Sequence, residues 1–290
     1  MIDESRTRQQ IMGATSPAAD ELNQEVSPEF DLAVAAARRR QRIEKLLSTF
    51  SPLIILALWE VAARLNWIDL RFFPAPSQIA VVFYEMLTSG EYFSALRISA
   101  SRIAIGFLIG AVPALVLGVL MGLSSIVRAI FSPVVGALLP IPKLALLPLI
   151  LLVFGIGESS KWATIAAGVF FYVLYDTVVG VANIDRVYLD VAKAFGAPRR
   201  DYWFRIALPG ALPMIFNGLK LGLAVGLLLI VAAEMIGAND GIGFLIWMGY
   251  SVFALERMYV GLLTMAVLGY IITQGLDALE KVLIPWKRHA

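Results

Sequence analysis

The sequence predicts an all-α integral membrane protein with six transmembrane helices. Composition is the first indication, because 59% of the 290 residues are hydrophobic, 16% are charged, and the mean hydropathy is +0.78, outside the usage of ordinary globular domains. Span length is the second, since about 20 apolar residues cross roughly 30 Å of hydrocarbon. Six stretches have this length: 46–65, 99–123, 130–154, 161–182, 213–236 and 258–281.

The N-terminal region, residues 1–45, is predicted to be a polar tail. It is rich in Gln, Ser, Glu and Asp, has the option of a short helix from about Asp31, and ends in the basic run 38–42. No apolar core follows an early basic region before Leu46, so the pattern does not indicate a cleaved signal peptide. A basic run beside a span favours a membrane-proximal anchor on anionic lipid.

Two features between the ends of the chain interrupt the apolar runs. Residues 72–76 contain two prolines and predict an extended connection, followed by an amphipathic helix at 77–87 with Ser77 as its N-cap. The third span contains Pro140, Pro142 and Pro148, with Lys143 among them. Prolines free backbone carbonyls, which lipid does not tolerate, so this span should face other helices or a water-filled path.

Glycines predict close helix contacts in the second and fifth spans. They recur at spacings of four or eight, which is typical of backbones that approach closely in a membrane. The residues are Gly106, Gly110, Gly118 and Gly122, then Gly218, Gly222 and Gly226. Structural packing is the better interpretation, with a moving interface as the alternative.

A charged hairpin, residues 186–212, separates the fourth and fifth spans. Its two short helical stretches are divided at 196–198 by Gly-Ala-Pro, where glycine permits a sharp turn and proline begins a new helix. Its basic residues share a side with the basic tail, Arg128 and the C-terminus, so the positive-inside rule places the hairpin and both termini in the cytoplasm. Apolar Val191, Ala194 and Phe195 could pack on a partner there.

Composition also excludes several chemistries. The chain has no cysteine, a single histidine near its C-terminus and no Gly-Lys dipeptide, which excludes thiolate sites, a histidine metal cluster, a serine–histidine–aspartate site and a Walker A loop. The net charge of +2 is too small to indicate a nucleic-acid partner. If nucleotide hydrolysis powers this protein, another chain performs it.

Ionisable residues at membrane depth are costly, so each needs a structural or a functional explanation. Glu60, Lys220 and Glu234 could snorkel or cap near span ends, or serve function. Asp176, beside Tyr172 and Tyr175 in the sequence, fits a polar pathway lining and a buried hydrogen-bonded role equally. Lys143 could contact an anion or be an interfacial lysine.

The hairpin resembles the cytoplasmic signature of permease subunits of ATP-binding-cassette (ABC) importers, in the nitrate, sulfonate, taurine and bicarbonate branch. That signature is E-A-A, three residues, G, nine residues, I, one residue, L-P. Here Asp190-Val191-Ala192, Gly196, Ile206 and Leu208-Pro209 fall at those spacings, with Asp190 for glutamate and Val191 for alanine. The stretches at 72–79, 140–161 and 231–247 are also similar to that branch, and the resemblance covers 46–287.

The resemblance implies a type I ABC importer (MetI-like) permease fold with a cytoplasmic coupling helix. Residues 46–287 would form a six-helix domain and 288–290 a cytoplasmic end. The protein would be a transport subunit and no enzyme, in the bacterial inner membrane, bound to a second permease copy, to a periplasmic binding protein and to two ATPase subunits that hold ATP and Mg. This chain would bind no cofactor or metal. ATPase coupling would fall to Asp190, Val191, Ala192, Lys193, Ala194, Phe195, Gly196, Ala197, Ile206, Leu208 and Pro209.

The cargo implied by the resemblance is a small oxyanion such as taurine, another sulfonate or nitrate, with bicarbonate or small aromatic acids as alternatives. Candidate pathway residues are Lys143, Asp176, Tyr172 and Glu234. Three other classes compete. An intramembrane enzyme lacks a convincing nucleophile, an ungated channel or scaffold would need no docking hairpin, and a secondary transporter is not supported by an inverted repeat.

Overall fold

A computed structural model describes residues 17–184, 186–196 and 198–286. The regular elements of these residues are helices, as predicted. Eleven α-helices are numbered in chain order. They are α1 Pro17–Arg64, α2 Pro76–Thr88, α3 Glu91–Leu123, α4 Ser125–Leu138, α5 Leu147–Phe154, α6 Glu158–Ala182, α7 Arg186–Ala194, α8 Arg199–Tyr202, α9 Leu208–Gly237, α10 Ile242–Ser251 and α11 Leu255–Leu283.

The chain divides into two compact units between Ile68 and Asp69. In the first unit, α1 is a single helix of 48 residues that begins at Pro17, well before the predicted start near Asp31. Its early residues are rich in Ala, Glu, Gln and Leu, which are good helix formers, and proline suits the first position of a helix. The polar region therefore continues as helix into the predicted first span.

In the second unit, α2 confirms the predicted amphipathic helix but not its cap. The N-cap residue is Ala75, Pro76 opens the helix, and the Ala75 backbone N–H donates to the Gln78 side chain at 2.9 Å. Ser77 lies inside the first turn, so its predicted capping role was wrong. Proline fixes the backbone for the first helical position, which moves the start of the helix forward.

The core of the second unit is α6 packed between α3 and α9, and it confirms the predicted glycine contacts. A Cβ at Gly110 of α3 would lie 2.7 Å from the Ala166 carbonyl oxygen of α6. On the other side, a Cβ at Gly218 of α9 would lie 2.8 Å from the Asp176 Cβ. Real Cβ atoms do not approach so closely, so these backbones meet only because glycine is present.

The prolines of the third predicted span break it, as expected. Helix α4 ends at Leu138, a 3-10 turn covers Lys143–Leu146, and α5 follows directly. The two halves are bent by 88°. Pro140 and Pro142 lie in the break, whereas Pro148 occupies the first turn of α5, where a missing N–H costs nothing.

Within the described part of the chain, four helices are long and apolar enough to cross a membrane, and five segments are if the bent pair is one span. The four long helices are α3, α6, α9 together with the residues from Arg200 that precede it, and α11. The predicted first span, 46–65, falls in the C-terminal part of α1 and stays a prediction. Helix α10 is a shorter apolar helix of 10 residues.

Replacing Gly110 with alanine should lower the melting temperature of the purified protein. The added methyl would meet backbone atoms of α6, and overpacking of a tight core costs about 1–3 kcal/mol. Gly275→Ala in α11 is the matched control, because a Cβ there meets nothing within 4 Å. Tryptophan fluorescence during heating reports both; equal melting of the two variants would contradict the close α3–α6 contact.

Candidate functional site

The hairpin between α6 and α9 forms the first part of the candidate site. Helix α7 ends at Ala194, and Gly196 turns the chain with φ of +67°, in the left-handed region that glycine reaches without strain. Helix α8 and a π-helical turn, Trp203–Ala207, then lead directly into α9. The predicted helix–turn–helix layout of this segment is thus observed.

Helix α7 presents an uncovered apolar face. Val187, Val191 and Phe195, the residue directly after the helix, follow one another at spacings of four and lie on one side of it. All three are exposed, Phe195 by 86%. Asp190 and Ala194 are exposed as well. Within the described residues no other element covers this face, and a contiguous exposed apolar patch indicates a binding surface.

The remaining predicted coupling residues lie nearby. The backbones of Ala192 and Lys193 belong to α7, while their side chains and Ala197 lie outside the described residues. Ile206, Leu208 and Pro209 are half-buried at the base of the hairpin. Ile206 and Pro209 line a cavity of about 790 Å³, whose walls also include Tyr188, Arg205 and Trp286.

The two helices that flank the hairpin are packed on each other. At the hairpin end, a Cβ at Gly180 of α6 would lie 2.7 Å from the Met214 Cβ of α9. At the opposite end, called the far end, a Cβ at Gly168 would meet Leu229 at 2.3 Å. The hairpin is therefore attached to a closely packed helix pair and not to two independent spans.

A buried charge network at the far end forms the second part of the site. The Arg102 side chain on α3 is 2% exposed. Its Nε donates to Glu158 Oε2 at 2.8 Å, its Nη1 to Glu234 Oε1 at 2.9 Å, and its Nη2 to Asp240 Oδ1 at 2.5 Å. Nη2 also bonds Glu158 Oε1, and Nη1 bonds the Asp240 carbonyl at 3.0 Å. One guanidinium thus joins α3, α6, α9 and the loop after α9.

Glu234 also holds the start of α10. Its Oε2 accepts the Gly243 backbone N–H at 2.8 Å, and the Ser99 hydroxyl donates to it at 2.8 Å. Ser99 in turn accepts the Ile242 N–H at 2.8 Å. Glu234 is fully buried, so it does not snorkel; it caps a neighbouring helix, where a negative charge is favoured.

The other candidate pathway residues lie apart from this network. The Lys143 Nζ donates to the carbonyls of Leu138, Leu139 and Ile141 at 2.6, 3.2 and 3.0 Å, and lies 4.2 Å from the Phe171 ring centre. Its three donors therefore close the C-terminal end of α4, where a cation is favourable. This geometry leaves no donor for an anion in this conformation, and a pathway role stays a prediction.

Asp176 and Tyr172 lie one turn apart on α6. Asp176 is buried and accepts the Asn217 side-chain N–H at 2.7 Å. Tyr172 and Asn217 are exposed, so polar groups at membrane depth meet at the surface between α6 and α9. Both sequence interpretations of Asp176, pathway lining and buried hydrogen bond, agree with this position.

Lys220 and Glu60 complete the charged residues at membrane depth. Lys220 on α9 bonds Glu280 at 2.5 Å and Asp277, both on α11, and so links these helices nearer the hairpin end. In the first unit, Glu60 pairs with Arg64 at 2.7 Å. Neither residue simply snorkels.

Sequence reasoning missed Arg102, Glu158, Asp240 and the neighbouring Lys161. Arg102 stands near the start of a predicted span and the two acids lie in connecting segments, where charges are ordinary. The sequence did contain a signal for this network. A cation just inside one span can meet acids at the ends of two other spans on the same side of the membrane, if the three spans are neighbours.

The sequence of this chain matches a known protein family. Residues 114–289 match the model of the binding-protein-dependent transport system inner membrane component. The chain belongs to this family. The match includes the hairpin, α9 and α11, and it confirms the resemblance drawn from the hairpin motif.

Curated relatives extend the similarity over most of the chain. A putative aliphatic sulfonates transport permease protein, SsuC of Bacillus subtilis (strain 168), is 32% identical and covers 88% of this chain and 92% of its own. The taurine transport system permease protein TauC of Escherichia coli (strain K12) is 33% identical over 83% and 89%. The nitrate import permease protein NrtB of Synechocystis sp. (strain ATCC 27184 / PCC 6803 / Kazusa) is 28% identical over 87% and 98%.

A solved structure shows the same fold. A chain of the MetNI methionine ABC transporter, in inward-facing conformations, aligns with a TM-score of 0.53 at 20% identity, covering 64% of this chain and 92% of that one. The family member described here is therefore an integral membrane transport component with a MetI-like permease fold.

Replacing Lys143 with methionine should lower the melting temperature, because the last carbonyls of α4 lose their donors and an unpaired buried group costs about 1–3 kcal/mol. Lys281→Met is the matched control, since Lys281 is exposed in the last turn of α11. Thermal unfolding in detergent measures both. A Lys143→Met protein that melts with the control would contradict the capping role.

Proposed function

We propose that this protein is the permease subunit of an ATP-driven importer in a bacterial inner membrane, which passes a small oxyanion from a periplasmic binding protein to the cytoplasm. The uncovered apolar face of α7 carries the proposal. It lies on the hairpin that matches the family's coupling motif and that joins the packed helices α6 and α9. An ungated channel would need no such docking surface.

The partner that would cover this face is an ATPase subunit. Val187, Val191 and Phe195 supply an apolar contact, and the charged residues beside them supply polar rim contacts, which is the usual composition of a protein interface. ATP and Mg would be bound by that partner, because this chain has no Walker A sequence. Two permeases would engage two ATPases.

The packing of α6 on α9 defines how force would travel. Because both helices are held together by glycine contacts along their length, a push on the hairpin moves them as one body and not the following span alone. Helix α3, packed on α6, moves with them. A differential binding energy of about 5.5 kcal/mol would change a two-state population from 1:99 to 99:1.

A second copy of the permease would meet the exposed polar surface near Asp176. Tyr172 and Asn217 are exposed at membrane depth, and lipid does not satisfy polar groups. This surface suits a water-containing path between two permeases better than it suits lipid. We propose a homodimer with this surface toward the path.

The proposed orientation follows from charge. The basic residues of the hairpin and of both chain ends would lie in the cytoplasm under the positive-inside rule. The far end, with the Arg102 network and α10, would then face the periplasm, where the binding protein delivers cargo.

The proposed cargo is a sulfonate such as taurine, or nitrate. The named relatives that transport sulfonates and taurine are about one-third identical to this chain, and the nitrate permease is similar over nearly the whole chain. Bicarbonate and small aromatic acids remain the alternative within the same importer class.

Gly196→Val should abolish ATP-dependent uptake and weaken co-purification with the ATPase. The residue has open space around a Cβ, but its φ of +67° strains a β-branched side chain. Gly196→Asn is the matched control, because asparagine tolerates this backbone region, and it should retain most uptake. Equal uptake by the two variants in proteoliposomes would contradict the turn requirement.

Phe195→Asp should release the ATPase during purification without lowering the yield of inserted permease, because the side chain is exposed and would contact the partner instead of this chain's core. Val252→Asp, at an exposed position directly after α10 and away from the hairpin, tests whether an acid at any exposed apolar position has this effect. Persistent ATPase binding by Phe195→Asp would contradict docking through the α7 face, whereas an unsubstituted permease that never co-purifies with an ATPase would favour a channel or scaffold.

Uptake by the complex with its own binding protein should be ATP-dependent and should be competed by unlabelled taurine, another sulfonate or nitrate. Radiolabelled taurine and nitrate in proteoliposomes measure it. Competition by a cationic solute alone, with no effect of any oxyanion, would contradict the cargo assignment while leaving the importer class intact.

A further inference from the structure

At the far end, the direct ion pairs are distributed unevenly between two cations. The Arg102 guanidinium bonds three carboxylates, those of Glu158, Glu234 and Asp240. Lys161, on the first turn of α6, is 4% exposed, yet the described residues give its ammonium no hydrogen bond and no ion pair. One cation therefore makes all of the direct ion pairs with these acids, while the second interacts with the same carboxylates only at longer range.

Lys161 stands in the same helix seam as Arg102. Ile165, one turn further along α6, contacts Gly106 of α3 and Gly226 of α9. Because residues four apart lie on one helix face, Lys161 lies on the face of α6 toward α3 and α9. Arg102 is likewise one turn from Gly106. The two cations are therefore neighbours at one level of the three-helix core.

Lys161 is nearly buried but makes no direct ion pair, and buried charges in proteins are normally paired. The network contains an acid that could supply the pair. Glu158 lies three positions before Lys161 on the same helix, within reach of an ion pair, and its side chain is 49% exposed. Glu234, at 1%, is held by Ser99 and by the start of α10 and cannot move as freely.

We propose that Lys161 is the alternative partner of Glu158 in a second conformation of the transport cycle. In the conformation described, Glu158 bonds Arg102 and ties the first turn of α6 to α3. In the second conformation Glu158 pairs with Lys161, and Arg102 keeps Glu234 and Asp240. The exchange conserves charge, gives each cation a partner and frees the far end of α6 from α3.

This inference rests on the proposed function, because the exchange would serve the transport cycle. The exchange itself can be detected without measuring transport. Lys161→Met removes the second pairing and favours the conformation described. Lys161→Arg adds donors at the same position and favours the second. Arg102→Lys keeps the charge of the first network but reduces its donors from five to three, which also favours the second conformation.

Spin labels on cysteines introduced at Ser101 of α3 and Ser159 of α6 measure the α3–α6 separation. Both positions are exposed and each adjoins a network residue, and the natural chain has no cysteine to label. The full-length permease in lipid nanodiscs is used, so the measurement needs neither ATPase nor cargo. Lys281→Met is the control, because it removes an exposed lysine remote from the network.

We expect Lys161→Met to raise the ratio of the short to the long separation about fivefold or more, and Lys161→Arg and Arg102→Lys to lower it by a similar factor, as for linked sites. The control should match the unsubstituted protein. Shifts of the same sign for Lys161→Met and Lys161→Arg, or no shift in any variant, would overturn the exchange. If Lys161→Met does not insert, the other two variants still decide.

The outcome is distinguishable from a failure of the proposed function. Unsubstituted protein that lacks ATP-dependent uptake contradicts the importer, whatever the separations show. Normal uptake by the unsubstituted protein together with unchanged separations in all variants contradicts only the exchange of Glu158 between Arg102 and Lys161.

Discussion

The burial of the Arg102 guanidinium is the constraint on which the far end of this fold depends. Arginine stays charged in proteins, and a buried charge is tolerated only with well-placed partners. The partners here come from three places, the first turn of α6, the last turn of α9 and the loop after it. Glu234 extends this constraint to α10, because the same carboxylate accepts a backbone N–H at the start of that helix. The network thus joins the start of α6, the end of α9 and the start of α10 to α3.

The middle of the core is held by a different interaction. Along α3, α6 and α9 the contacts are between glycines and the backbone or Cβ atoms of the neighbour, and such contacts have no tolerance for sliding. The three helices therefore act as one body along the glycine seam, between the Arg102 network and the hairpin. The apolar face of α7 is attached to that body at its other end, so a partner bound there would act on the whole body.

Much of this arrangement could be predicted from the sequence, because it depends on patterns local in the chain. Apolar runs predicted the four long spans and the bent one. Glycine spacing predicted close helix contacts of the second and fifth spans, but not that α6 lies between them. The prolines around Lys143 predicted the break after α4. The Arg102 network depends on residues 56 and 132 positions away, which no period along the chain encodes. The Ser77 cap failed for a local reason, since Pro76 competes for the start of the same helix.

The distribution of interactions also indicates where this core can change. Opening the glycine seam would separate closely fitted backbones and leave voids whose lining atoms lose their contacts. Ion pairs at the ends can instead exchange partners, as long as each charge keeps one. The 88° bend between α4 and the following segment and the Lys220 link from α9 to α11 lie outside the seam. Conformational change should therefore occur at the borders of the three-helix body, with its interior intact.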